Sequence, residues 1–163
     1  MDKTLIADTA SCMRLLDIYQ YSSSIKRYVD LQADDMHENM YQQGKRSFKA
    51  ELLKTDSNNN APDLIKVLVS LGERFVLQIE DDTDKESEED AKPLAHFEAD
   101  FVALYEVKKE LEDHDLEQFI KFNVLHNVWP FWREFVFRSA DSMHLPKPDI
   151  PLMNGMVLDK KDK

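Results

Sequence analysis

Five histidines are the first side chains to test for chemistry: His37, His96, His114, His126 and His144. No two are spaced i, i+4, each falls in a different predicted element, and the chain holds a single cysteine, Cys12. That is not the spacing of a zinc site, so the histidines read as scattered imidazoles. Cys12 sits in no local setting that would make it a nucleophile. No Gly-x-Ser-x-Gly elbow occurs, and three glycines in the chain leave no Gly-rich phosphate loop. Glu98 and Asp100 fall on one face of a predicted strand and, with a histidine, could exchange protons as acid–base groups of a small enzyme. Paired carboxylates are equally common on solvated sheets. The sequence therefore assigns no catalytic residue, no metal and no cofactor.

Composition narrows the partners. The 163 residues carry 21 Lys and Arg against 32 Asp and Glu, a net charge of −11. Nucleic acid and anionic membrane surfaces are bound through cations, so neither suits this chain. No apolar run reaches the ~18 residues of a spanning helix, and Met1-Asp2-Lys3-Thr4 lacks a signal-peptide start. One unpaired cysteine fits a reducing, cytoplasmic setting. The acidity is concentrated between Glu80 and Lys92, where Glu80, Asp81, Asp82, Asp84, Glu86, Glu88, Glu89 and Asp90 face only Lys85 and Lys92. The EF-hand pattern is absent, so this stretch reads as a solvated connection. Asp56 to Pro62 is a second turn-rich loop.

The elements that position these residues follow from hydrophobic period. Ile65, Val67, Val69, Leu71, Phe75, Leu77 and Ile79 alternate with polar residues, as in a long half-buried strand. Gly72 predicts a bulge or bend there, or a hairpin turn over Leu71–Arg74. Ala95, Phe97, Ala99, Phe101, Ala103, Tyr105 and Val107 repeat the pattern, with His96, Glu98 and Asp100 opposite. Phe48, Ala50 and Leu52 mark a shorter strand. Leu15 to Leu31 marks one more, interrupted at Ser22-Ser23-Ser24. From Leu116 the spacing becomes helical. A short helix around 115–125 is expected, then a longer one from about 127 to 143, with Asn127 as cap and Pro130 in the first turn. The fold class is α+β: a four-stranded antiparallel sheet followed by a short and a long C-terminal helix. One domain over 1–154 and a flexible tail over 155–163 complete the organisation.

Rings crowd the C-terminal third: Phe119, Phe122, Trp129, Phe131, Trp132, Phe135 and Phe137. One helix face can pack on the sheet; the remaining rings point to a second interface, between subunits or with a client. Met36, Met40 and Tyr41, in the crossover Asp34–Lys45, add adaptable side chains suited to a promiscuous groove.

Asn127-Val128-Trp129-Pro130-Phe131-Trp132-Arg133-Glu134 resembles the helix signature of the SecB family of bacterial export chaperones. Leu145-Pro146 is similar to the aromatic-Pro that follows the family's main helix, and Pro151 and Asn154 to its later Pro-Val-Asn segment. The resemblance implies a cytoplasmic, ATP-independent holdase without enzymatic activity, assembled as a homotetramer from two dimers. It implies unfolded polypeptide clients, delivery to the translocase motor SecA, and a client groove drawing on Met36, Met40, Tyr41, Trp129, Phe131 and Trp132. SecB-like proteins dedicated to antitoxins of toxin–antitoxin systems form a second branch, and an antitoxin is the alternative partner.

The sequence also departs from the family pattern. Ser142-Met143-His144 stands where the family has a Gly before its aromatic-Pro. Asp100-Phe101-Val102 replaces paired glycines on the last strand. Ser24 and Tyr28 fall near the acids of the family's SecA-binding first strand, and only Glu98 matches an acid of that surface. Asp159-Lys160-Lys161-Asp162-Lys163 replaces the family's C-terminal tail.

Overall fold

The structure is a computed structural model and describes residues 9–30, 40–54, 62–77, 93–109 and 111–153. The acidic stretch between Glu80 and Lys92, Met36, His37, Asn154 and the tail lie outside them. Four long strands form one antiparallel sheet: β1 Met13–Arg27, β2 Met40–Leu53, β3 Leu64–Leu77 and β4 Pro93–Val107. Their spatial order is β1-β4-β3-β2, so β1 lies at the edge opposite β2.

One side of the sheet is covered. Ile65, Val67, Val69, Leu71 and Phe75 of β3 stand beside Tyr105, Ala103, Phe101, Ala99 and Ala95 of β4. All are buried, and the helices pack over them. The expected alternation is therefore the core itself. Among the described residues no long helix packs on the other side of the sheet, which carries His96, Glu98 and Asp100.

Gly72 makes neither a bulge nor a turn, and β3 runs through it as one strand. The β2–β3 register runs without a shift from Met40↔Leu77 to Leu53↔Leu64, and the β3–β4 irregularity falls at Phe75/Val76. The expected short strand at Phe48 is a 14-residue β2 beginning at Met40, so Met40 and Tyr41 belong to a strand rather than a crossover. In β1 the irregularities sit between Leu15 and Asp17 and between Gln20 and Ser22, ahead of the serine run. Each bulge adds one residue and flips the alternation. Thus Met13 and Leu15, then Ile18 and Gln20, then Ser23 and Ile25 take turns on the helix side.

Helix α1 (Asp113–Phe119) passes through a π-helical turn, Ile120–Val124, into α2 (Leu125–Ser142). The break expected before Asn127 is absent, and Pro130 lies inside α2. Asn127 is not a cap: its Nδ2 donates to the Tyr105 hydroxyl at 3.0 Å, tying helix to sheet. Burial pushes that phenol's pKa up, while the Asn127 bond draws it down. Phe119 meets the same ring edge-on at 5.0 Å.

At its end α2 closes with paired bonds, Leu145 N–H to Ala140 C=O and His144 N–H to Asp141 C=O, the Schellman pattern. That motif needs a left-handed residue, and His144 supplies it with φ 52°. His144 thus holds, without being glycine, a left-handed conformation that glycine would adopt freely.

Candidate functional site

The aromatic-Pro-aromatic stretch distributes its rings among different tasks. Trp132 is 2% exposed in the core, with its ring tilted against Phe135. Phe131, one residue earlier, is 46% exposed. A helix turns about 100° per residue, so neighbours cannot share a face. Trp129 is half-buried, and its indole N–H donates to the Pro151 carbonyl at 2.8 Å. One turn on, Arg133 donates from Nε to the Ile150 carbonyl at 2.9 Å and lies over the Phe137 ring.

These bonds hold an extended segment, 145–153, against α2. Gln42 of β2 holds it from the sheet: Nε2 donates to the Asp149 carbonyl at 3.3 Å, and the Asp149 N–H donates to Oε1 at 2.5 Å. Gln42 also donates to Glu73 at 3.0 Å. Glu73 occupies a core-side position of β3 where the alternation calls for an apolar residue. Burial raises its carboxyl pKa, with the neighbouring Asp149 charge adding to the rise and the Gln42 bond opposing it. Gly44, opposite Glu73 in the register, leaves room for it: a Cβ there would stand 3.0 Å from Oε2.

The residues expected to form one groove are therefore not one cluster. Met40 is half-buried against the core on the helix side, whereas Tyr41 projects from the open side. Trp132 is internal, Trp129 clasps the 145–153 segment, Phe131 faces outward, and Met36 falls outside the described residues. The exposed apolar side chains that remain are concentrated on the two edges. Leu15, Leu16, Tyr19 and Tyr21 lie on β1, and Leu52 and Leu53 on β2. Sequence reasoning missed the β1 group because the bulges conceal its pattern.

On the open side, Lys45 of β2 lies across Gly72 of β3 and reaches Glu98 of β4 at 2.5 Å. These three residues are register neighbours. A Cβ on Gly72 would meet the Lys45 stem at 2.6 Å, so the glycine clears a path for a side chain. Ser22 donates to Asp100 at 2.5 Å and, with Ser70, holds that carboxyl's pKa below its ordinary range. His96 Nδ1 is 2.9 Å from the Tyr28 hydroxyl. Glu98, Asp100 and His96 thus each engage a different partner. Among the described residues no cluster of three His, Cys, Asp or Glu could hold a metal ion. No described helix is long and apolar enough to cross a membrane.

Neither a protein-family model nor a curated protein sequence matches the chain. Among solved structures it is similar to the Mycobacterium tuberculosis Rv1957 SecB-like chaperone in complex with a ChAD peptide from the Rv1956 HigA1 antitoxin. The TM-score is 0.64 at 14% identity, covering 93% of this chain and 98% of that one. At that identity the likeness speaks for architecture. The sheet, the short helix and the long helix that follows have the SecB-like fold.

Proposed function

We propose that this protein is an ATP-independent holdase that binds non-native polypeptide through apolar contact. One observation carries the reading: a domain with a complete core keeps large apolar side chains exposed along both sheet edges and at Phe131. Such surface is costly to leave in water unless something covers it. Two kinds of partner would do so. Copies of the same chain, associating as a homotetramer built from dimers, would cover part of the edges; unfolded clients would cover the remainder. Buried apolar area contributes roughly 25 cal/mol per Å², so a few hundred Å² gives useful affinity for many sequences.

A dedicated antitoxin client is the second reading, favoured by the peptide bound to the structurally similar Rv1957 protein. An export role with handover to SecA through Glu98 is the third. It is the weakest, because the Glu98 carboxylate already faces Lys45. The setting proposed for all three is the cytoplasm.

The experiment is suppression of aggregation of a chemically unfolded protein at equimolar amounts, without ATP, at low and high salt. Protection should persist at high salt, because screening weakens exposed charge contacts and spares apolar burial. Protection that vanishes in moderate salt for every client would remove the mechanism. A 19 kDa monomer by native mass spectrometry would remove the assembly.

A further inference from the structure

The segment 145–153 is held in two different ways along its length. Its root belongs to the helix closure: the Leu145 N–H donates to the Ala140 carbonyl, and the Leu145 side chain is buried. Beyond the root, among the described residues, every hydrogen bond shown for its main chain is made with a side chain. The Gln42 amide takes both the N–H and the C=O of Asp149. Arg133 Nε takes the next carbonyl, that of Ile150, and the Trp129 indole the one after, that of Pro151. Three successive residues are thus gripped by their main-chain atoms.

The side chains of the segment alternate as in a strand. Pro146, Pro148 and Ile150 are buried, whereas Lys147, Asp149 and Pro151 are exposed. Pro146, Pro148 and Pro151 nevertheless have no N–H to give to a ladder, so the segment does not pair as a strand. A side-chain amide that bonds both polar groups of one residue stands in for a neighbouring strand and asks for no particular sequence. The indole and the guanidinium extend that grip to the following carbonyls. What the seat requires of side chains is apolar volume at alternate positions, with Ile150 in the core at 4% exposed.

An occupant of this kind is replaceable. Its prolines give it few donors to lose on leaving. An ordinary extended segment presents the same carbonyls and the same alternation, and adds the N–H groups that prolines lack. We infer that the seat between α2 and the Met40 end of β2 is a binding site for an extended polypeptide segment, which residues 146–153 fill in cis as a competitor. The inference rests on the holdase reading for the nature of the incoming chain, a non-native client. The root at Leu145 keeps the displaced arm attached, so the seat refills when the client leaves. The affinity a client experiences is then lowered according to the fraction of molecules whose seat is already filled.

The test is fluorescence anisotropy on the full chain with a labelled peptide of residues 145–153 added in trans. A control peptide carries Asp at the position of Ile150. The first peptide should bind at least about tenfold more tightly than the control and depend little on salt, because apolar burial and main-chain bonds carry it. Ile150→Ser in the protein weakens the resident segment and leaves the seat intact, so affinity for the peptide should rise about tenfold. Asp149→Pro, at an exposed position, deletes the N–H that Gln42 holds and should raise affinity about threefold. It carries the test if Ile150→Ser folds poorly. Trp129→Phe keeps a ring and loses the donor, so in the Ile150→Ser background it should weaken binding about fivefold. Val67→Ala removes core volume at a position opposite Ala50 in the register, away from Gln42, and should leave affinity unchanged.

No gain in either Ile150→Ser or Asp149→Pro, an equal gain in Val67→Ala, or equal binding of the control peptide overturns the proposal. Aggregation suppression by the same variants separates this inference from the holdase reading. Protection by the wild type without any gain in peptide affinity sinks the seat alone. The gain in peptide affinity without protection by any variant sinks the holdase and leaves a peptide site.

Discussion

The central strands and the edge strands of this sheet are alike in length and opposite in self-sufficiency. β3 and β4 bury an apolar row under the helices, interrupted by Glu73 alone on β3, and the apolar members named above are below 5% exposed. β1 and β2 are each flanked by one strand only, and most of their side chains reach solvent, Tyr21 at 65%. One chain can complete the middle of the sheet by folding its own helix onto it. Among the described residues the rims stay incomplete, with apolar side chains exposed at Leu15, Leu16, Leu52 and Leu53. The centre is therefore closed by folding, while the edges keep apolar surface that the described helices do not cover.

The sharpest way to break this contrast is truncation. Trp132→Ala and Phe101→Ala, at the helix–sheet core, should each cost ~3–5 kcal/mol in chemical denaturation. A loss as small as a surface change would mean the centre is not the core. His144→Gly comes next. The histidine holds a left-handed backbone that glycine adopts freely, so the variant should gain about 1 kcal/mol and melt higher. No gain would argue against the Schellman closure.

Gly72 tests how the centre serves the open face. Gly72→Ala should dislodge the Lys45 side chain and its contact with Glu98, at a cost of about 0.5 kcal/mol, since exposed ion pairs contribute little. In a Lys45→Ala background the same change should become neutral or stabilising, because a strand interior disfavours glycine. An unaltered cost in that background would show that the glycine serves the backbone rather than the side chain.

Glu73 is the polar exception in the central row, and its effect should appear in pH. Its carboxyl holds the proton to higher pH in the fold than in the unfolded chain, where the ordinary value is 4.5. The folded state then binds more protons in that window, so stability falls as pH rises from 4.5 through the raised value. Glu73→Gln should remove that fall, by an amount under about 1 kcal/mol because the group is not fully enclosed. A stability profile with the same slope in the variant would assign the effect to another group.

The smallest effect on folding belongs to the edges. Tyr21→Ser should change stability within one chain by less than about 0.5 kcal/mol. Its native mass should nevertheless shift toward smaller species if β1 is a contact between copies. Unchanged mass and unchanged client protection would leave that edge without a partner.

Sequence by itself determined the centre of this protein. A period of two over Ile65–Phe75, broken at Glu73, and over Ala95–Tyr105, then a helical period from Leu116, records which side of each element leaves water. The likeness to a SecB helix came instead from a resemblance of the residues Asn127-Val128-Trp129-Pro130-Phe131-Trp132-Arg133-Glu134 themselves, not from their period. The edges were less legible. Two bulges flip β1's alternation, and β2 uses Gln42 to bond Asp149, more than a hundred positions away. Tertiary structure alone decided that Asn127 bonds Tyr105 instead of capping a helix, that Gly72 makes room for Lys45, and that Met40 and Tyr41 part company across the sheet. Those outcomes depend on which residue stands opposite in the register, and that is set by strand pairing among distant segments rather than by any local pattern.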